Sequence, residues 1–500
     1  MSSESTQDTE LVRALGPVSA TTLVVGSMIG SGIFIVSADI ARLVDSPALL
    51  IGAWLVTALM TVVGALSYGE LAAMMPRAGG QYVFLREALG SLWGFLYGWT
   101  LFLVIQTGTI AAVSVAFAKF LGVFVPAVSA DHWILGPLLL WGFKLGLNTQ
   151  NLVAIGVVTV LTLVNIRGVK TGALVQNIFT IAKTAALLGL VLIGFGLASN
   201  AHAIAINFGN FWRNVGWQQL FPITTGVDGP EVLVGLFTAL AVAQVGSLFA
   251  ADAWNNVTFT AAEVENPARN LPMALGLGTG IVLLLYIAAN FAYMMVLPLE
   301  GTPEGHTVAE RGIQYATDDR VGTAVMEAAF GPGGAQLMAL AIMISTFGCC
   351  NGLILAGARV YYAMARDGMF FASVGRLDPV HRTPAVSLTV QALWTGVLCL
   401  SGSYGQLLDY IIFAVLVFYI LTIVGLFVLR RTRPDAPRPY KAAGYPVLPA
   451  LYILMALFID LVLLRYKPQY TWPGLIIVLL GIPVYYLWAH RKISAREESA

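Results

Sequence analysis

Gly26-Ser27-Met28-Ile29-Gly30-Ser31-Gly32-Ile33-Phe34 interrupts the first apolar stretch of the chain. Each glycine inside a helix costs roughly 1 kcal/mol against alanine, so helix propensity does not account for three of them beside two serines. In lipid, unwound backbone survives only where it lines a cavity or is buried in protein, because no water is there to satisfy it. The stretch reads as a break in a membrane helix and as a candidate binding site. A helix that resumes near Ser31 would leave the amides of Ser31, Gly32 and Ile33 as donors at a positive dipole end, suited to a carboxylate. Close helix packing is the competing reading, since Gly26 and Gly30 form a small-xxx-small face.

Composition sets the surroundings of that break. Hydrophobic residues make up 58% of the chain and charged residues 11%, against roughly 25% charged in soluble domains. About twelve stretches reach the roughly 20 residues that a membrane helix needs. They fall near 15–41, 48–75, 89–125, 150–166, 173–197, 233–260, 273–298, 334–366, 385–403, 405–430, 446–466 and 472–490. The fold class is an all-α polytopic membrane protein embedded in the lipid bilayer. The polar start, Met1 to Glu10, lacks the basic n-region of a cleaved signal peptide. Placing it inside puts most Lys and Arg on the inner side, including Arg77, Arg86, Arg167, Lys170, Arg366 and the run from Arg430 to Lys441. That asymmetry predicts both termini on the cytoplasmic side of the plasma membrane.

An enzyme in the membrane would need a nucleophile–base pair or clustered metal ligands. The five histidines map to loops or span ends, and no metal-ligand spacing appears. Cys349, Cys350 and Cys399 all fall inside spans, so no disulfide framework is readable. No enzymatic activity, metal, cofactor or nucleic-acid partner is expected.

The sixth span carries a second break, Phe249-Ala250-Ala251-Asp252-Ala253-Trp254-Asn255-Asn256. A half-helix ending near Ala250 or Ala251 would free carbonyls that suit an ammonium, and paired interruptions in corresponding spans point to a transporter built from repeats. Amide donors from one break and carbonyl acceptors from the other match an α-amino acid. An Asp-Asn cluster that only cross-links helices is the alternative. Lys183 lies about ten residues into the fifth span, too deep for easy snorkelling, which makes it a functional candidate. Ser345 in the eighth span offers a hydroxyl to backbone or to Lys183. Glu263 and Arg269 offer ion pairs for an inner gate, and the loop from Glu300 to Glu327 is long enough to fold over an outer vestibule.

Together, the Gly-Ser-Gly-Ile-Phe break, the Pro76 to Tyr82 loop and Glu263-Val264-Glu265-Asn266-Pro267-Ala268-Arg269-Asn270-Leu271-Pro272 resemble the amino acid–polyamine–organocation superfamily. Phe249 to Asn255 and Lys183 resemble its L-type amino acid transporter branch and bacterial relatives. The resemblance implies a LeuT-type fold of twelve transmembrane helices, with broken helices 1 and 6 and five-plus-five inverted repeats. The implied boundaries are a tail over 1–14, a transporter core over 15–430 with repeats at about 15–197 and 233–430, two additional helices over 431–490, and a tail over 491–500. It implies that Ser31, Gly32 and Ile33 bind a substrate carboxylate. Backbone near Val25, Met28, Phe249 and Asp252 would face the amine, Ile29 and Ala250 would also line the substrate site, and Phe249 would gate it. Lys183, beside Ser345, matches a lysine standing where sodium-coupled relatives hold sodium.

Departures qualify the likeness. Ala250, Ala251 and Ala253 stand where family members commonly carry larger residues or glycine, and Asp252 resembles relatives with an acid, some of which handle cationic amino acids. Pro126 to Thr149 lacks the cysteine that links animal members to a heavy subunit, so no disulfide-linked partner is expected. The expected activity is sodium-independent transport of amino acids, neutral ones first, by exchange or facilitated uptake. Proton symport using Lys183, or a cationic amino acid or polyamine carrier using Asp252, is the alternative.

Overall fold

The computed structural model describes residues 11–140, 143–225, 229–400 and 404–497. The expected tails at 1–14 and 491–500, and the end of the ninth expected span, lie partly outside them. The first half of the chain forms α1 (Pro17–Met28), α2 (Val36–Val44), α3 (Pro47–Met74), α4 (Gln81–Leu89), α5 (Ser91–Thr100), α6 (Gln106–Leu121), α7 (Thr149–Ile166), α8 (Val169–Phe195) and α9 (Ala201–Gly209). The second half forms α10 (Leu236–Ala250), α11 (Asn256–Phe259), α12 (Pro267–Val296), α13 (Val308–Arg311), α14 (Val321–Phe330), α15 (Pro332–Arg366), α16 (Ala385–Cys399), α17 (Tyr404–Thr432), α18 (Val447–Tyr466) and α19 (Pro468–Glu497).

Ten helical stretches among the described residues are long and apolar enough to cross a membrane, and α10 and α16 are shorter apolar helices in the expected sixth and ninth places. The first span is α1 and α2 with a break between them, and the sixth is α10 and α11 with another. Both expected interruptions are present. In the third span a π-turn over Leu101–Ile105 joins α5 to α6, a departure from regular helix that is common at functional sites.

Two antiparallel hairpins were not foreseen: β1 (Trp133–Leu140) with β2 (Phe143–Asn148), and β3 (Leu220–Thr224) with β4 (Glu231–Gly235). The second corrects the start of the sixth span. Val232 to Gly235 pair as a strand with Ile223 back to Leu220, and the helix begins only at Leu236.

Each break has a near side, where the chain enters α1, and a far side. On the near side the amides of Ala14 and Leu15 both donate to the Glu263 carbonyl at 2.9 Å, and the Glu265 amide returns a bond to Leu15. On the far side the connection after α12 is pinned to α2. Arg42 donates to the Gln314 carbonyl at 2.5 Å and to Asp319 at 2.6 Å, while the Gln314 amide reaches Asp45 at 2.9 Å.

Candidate functional site

Unwinding at the end of α1 frees a run of buried carbonyls, and buried carbonyls need donors. Side chains from three other spans supply them. Lys183 on α8, 1% exposed, places Nζ 2.5 Å from the Gly26 oxygen, 2.7 Å from that of Ile29 and 3.2 Å from that of Ser345. The Ser345 hydroxyl lies 2.9 Å from the Gly30 oxygen and 3.1 Å from that of Ile29, and the Cys349 thiol donates to Ser27 at 3.0 Å. Tyr286 on α12 sets its hydroxyl 3.0 Å from the Met28 oxygen and 3.1 Å from that of Ala250, tying the two breaks together.

Past the break the chain makes one tight turn over Gly32–Phe34 before α2. Among the described residues the amides of Gly32 and Ile33 meet no acceptor, whereas Ser31 is engaged. Val25, Met28, Ile29, Ser31 and Ile33 are all buried, and the Val25 carbonyl is taken by the Ile29 amide. Phe249 and Ala250 close the end of α10, also buried. The two breaks touch at Gly32, where an added Cβ would fall 2.6 Å from the Ala250 Cβ.

Beyond Ala250 the backbone leaves the helix, and Ala253 adopts a φ of 65°. That left-handed conformation costs a non-glycine residue roughly 1 kcal/mol or more. The turn aims Asp252 at Tyr419 on α17, with 2.5 Å between carboxylate and hydroxyl, and Asn255 at Gln81, 2.9 Å away. Asp252 borders two small cavities, one lined by Tyr97, Gln106, Asn255 and Leu353, the other by Thr61, Trp254 and Tyr452. Each has room for about one water. Neither is lined by residues of the first break. The expected residues therefore divide into two groups: the first break with Lys183, Ser345 and Ala250, and Asp252 with the tyrosines of α5, α17 and α18.

One expectation is corrected. Glu263 pairs not with Arg269 but with Arg359 on α15, at 2.8 and 2.9 Å through both carboxylate oxygens, both side chains being buried. Arg269 follows Pro267 at the start of α12, and no ion pair forms there among the described residues. Sequence reading also passed over Tyr286 and Tyr419, and named Cys349 without giving it a role at the break. A single hydroxyl or thiol within an apolar span carries no periodic or motif signal, and only the fold brings it to a broken backbone.

Two membrane helices broken side by side, with a buried ammonium and carboxylate at the breaks, define a protein of the transport class rather than an enzyme. The chain belongs to the amino acid permease family of the amino acid–polyamine–organocation superfamily, whose profile matches residues 15–485. It is 30% identical over 493 residues to the serine/threonine exchanger SteT of Bacillus subtilis (strain 168), covering 98% of this chain and 100% of that protein. It is 30% identical over 484 residues to the mouse large neutral amino acids transporter small subunit 2, covering 96% and 82%. With the mouse b(0,+)-type amino acid transporter 1 it shares 29% over 487 residues, covering 97% and 89%. The chain is a multi-pass membrane protein for amino acid transport with the LeuT-type fold.

Proposed function

We propose that this chain exchanges neutral L-amino acids across the plasma membrane without sodium, by alternating access around the paired breaks, with both termini cytoplasmic. The observation that carries the reading is the Lys183 ammonium among the carbonyls of Gly26, Ile29 and Ser345. A fixed ammonium supplies the positive charge that sodium supplies in sodium-coupled relatives. The exchanger named among the relatives supports exchange over one-way uptake, and the large neutral amino acid transporter supports a neutral substrate. In this reading the substrate carboxylate meets the amides of Gly32 and Ile33 beside Ser31. Its amine meets carbonyls near Val25, Met28, Ile29, Phe249, Ala250 and Asp252, and the Phe249 ring gates the site. The inverted repeats at about 15–197 and 233–430 move against each other, and the chain works without a disulfide-linked subunit.

A second reading rests on Asp252, a buried acid that pairs with no Lys, Arg or His among the described residues. An unpaired acid inside a membrane invites a cationic substrate, an amino acid or polyamine. Uptake of labelled serine, leucine and lysine into proteoliposomes, with and without unlabelled amino acid inside, separates these readings. Exchange of neutral substrates requires internal amino acid and ignores sodium. Uptake of lysine alone selects the second reading, and uptake driven only by a pH gradient selects proton symport through Lys183.

A further inference from the structure

Asp460 on α18 lies outside both breaks and has no place in the transport reading above. It is 4% exposed, and neither of its carboxylate oxygens has a hydrogen-bond partner. Six residues separate it from the end of α18 at Tyr466, roughly 9 Å at 1.5 Å per residue. An aspartate side chain is too short to snorkel that far. Leaving a lone carboxylate there costs far more than leaving a neutral acid, and such groups in membrane helices mark ion or proton paths. A purely structural role would require a donor to hold the carboxylate, and the described residues provide none.

The surroundings narrow the ligand to a proton. α18 packs against α3, α10, α17 and α19. α10 contains no titratable residue. α3 contributes Tyr68 and Glu70, and Glu70 is bound to Arg430 and Arg438. α17 contributes Tyr419, bonded to Asp252. The described titratable side chains of α19 are Tyr485 and Tyr486, which meet aromatic rings, Tyr485 tilted against Phe95 and the two tyrosines edge to face. On α18 itself Tyr452, two helical turns before Asp460, lines one of the cavities at Asp252. Among the described residues no Lys, Arg or His pairs with Asp460.

We propose that Asp460 is a second proton-binding site of this protein, linked to Asp252 through Tyr452. The buried carboxyl takes the proton where it has no partner, and a rearrangement of α10, against which α18 packs, gives it access to water and lets the proton leave. The proposal extends the amino acid transport reading, and its transport readout rests on that reading. Its direct readout does not.

The test is infrared difference spectroscopy of the purified protein in liposomes between about pH 5 and about pH 9, on wild type, Asp460→Asn, Asp460→Glu and Tyr452→Phe. The expected result is a protonated-carboxyl band that titrates in wild type, is lost in Asp460→Asn, is displaced in Asp460→Glu and shifts its midpoint in Tyr452→Phe. In counterflow the pH dependence of exchange should flatten in Asp460→Asn, while the rate at its best pH stays within about threefold of wild type. A carboxyl band unaffected by pH, or a wild-type pH profile in Asp460→Asn, overturns the proposal. Should Asp460→Asn fail to fold, an unshifted band in Asp460→Glu overturns it equally. A titrating band in a protein that moves no amino acid would sink the transport reading and leave the proton site standing.

Discussion

Gly32 stands so close to Ala250 that a methyl group on it would lie 2.6 Å from the Ala250 Cβ and 2.8 Å from its Cα. The two broken helices meet through a residue with no side chain, and nothing larger fits unless they separate. Real Cβ atoms do not approach so closely, and overpacking of this kind costs typically 1–3 kcal/mol. Gly32→Ala should therefore lower the thermal midpoint of the detergent-solubilised protein and cut counterflow exchange by at least about tenfold. A variant with wild-type rate and stability would show that the breaks do not need this contact.

Tyr286 reaches both breaks with one hydroxyl. Tyr286→Phe keeps the ring and its edge contact with Trp54 but strands buried carbonyls, at a cost of about 1–3 kcal/mol. Exchange should slow while the folded fraction in size-exclusion chromatography is unchanged. Equal loss in Tyr286→Phe and Tyr286→Leu would assign the effect to the hydroxyl rather than to the ring.

Removing the Lys183 ammonium takes the donor from the Gly26 carbonyl and leaves that of Ile29 with only the Ser345 hydroxyl. Lys183→Met preserves much of the stem and should abolish exchange, with a loss of more than about 2 kcal/mol in stability. Lys183→Arg should not restore it, because a planar fork does not reproduce the ammonium's three directions. Restored exchange in Lys183→Arg would argue that charge alone suffices.

Relief of strain provides the opposite test. Ala253→Gly removes a side chain from a φ of 65° and should raise the thermal midpoint, the gain being about 1 kcal/mol less whatever packing the methyl supplies. A lower midpoint would mean that packing of the Ala253 methyl in the apolar cluster with Cys349, Leu353 and Ile354 of α15 dominates.

The Arg359–Glu263 pair is buried at both ends, and breaking one partner of such a pair costs about 3–5 kcal/mol. Arg359→Met should destabilise strongly, and the double variant Arg359→Met with Glu263→Met should recover part of the loss. A double-mutant cycle with no coupling would place the two side chains apart in the membrane-embedded protein.

The spans and their two interruptions were legible because both signals are local: long apolar runs set by bilayer thickness, and glycine, serine or amide clusters that cannot be explained by helix propensity. Lys183 was legible because an isolated charge in an apolar run is conspicuous. Its partners were only partly so. Ser345 was named, but the carbonyls it serves emerge from the fold, as does the replacement of Arg269 by Arg359 against Glu263. The hairpin before α10 escaped because a run such as Glu231-Val232-Leu233-Val234-Gly235 fits a short strand as well as a helix start. Asp252 was read as part of one site with the first break. The structure turns it toward Tyr419 because the left-handed Ala253 redirects the chain at that point.

The stitching of Ala14 and Leu15 to the end of the sixth span makes the segment before α1, under the alternating access proposed above, a latch that has to part when the near side opens. A pair of spin labels at Arg13 and Glu265 would act as a switch reporter, short when the near side is sealed and long when α1 swings away. A bulky tag fused close to Arg13 would act as a wedge in the same hinge.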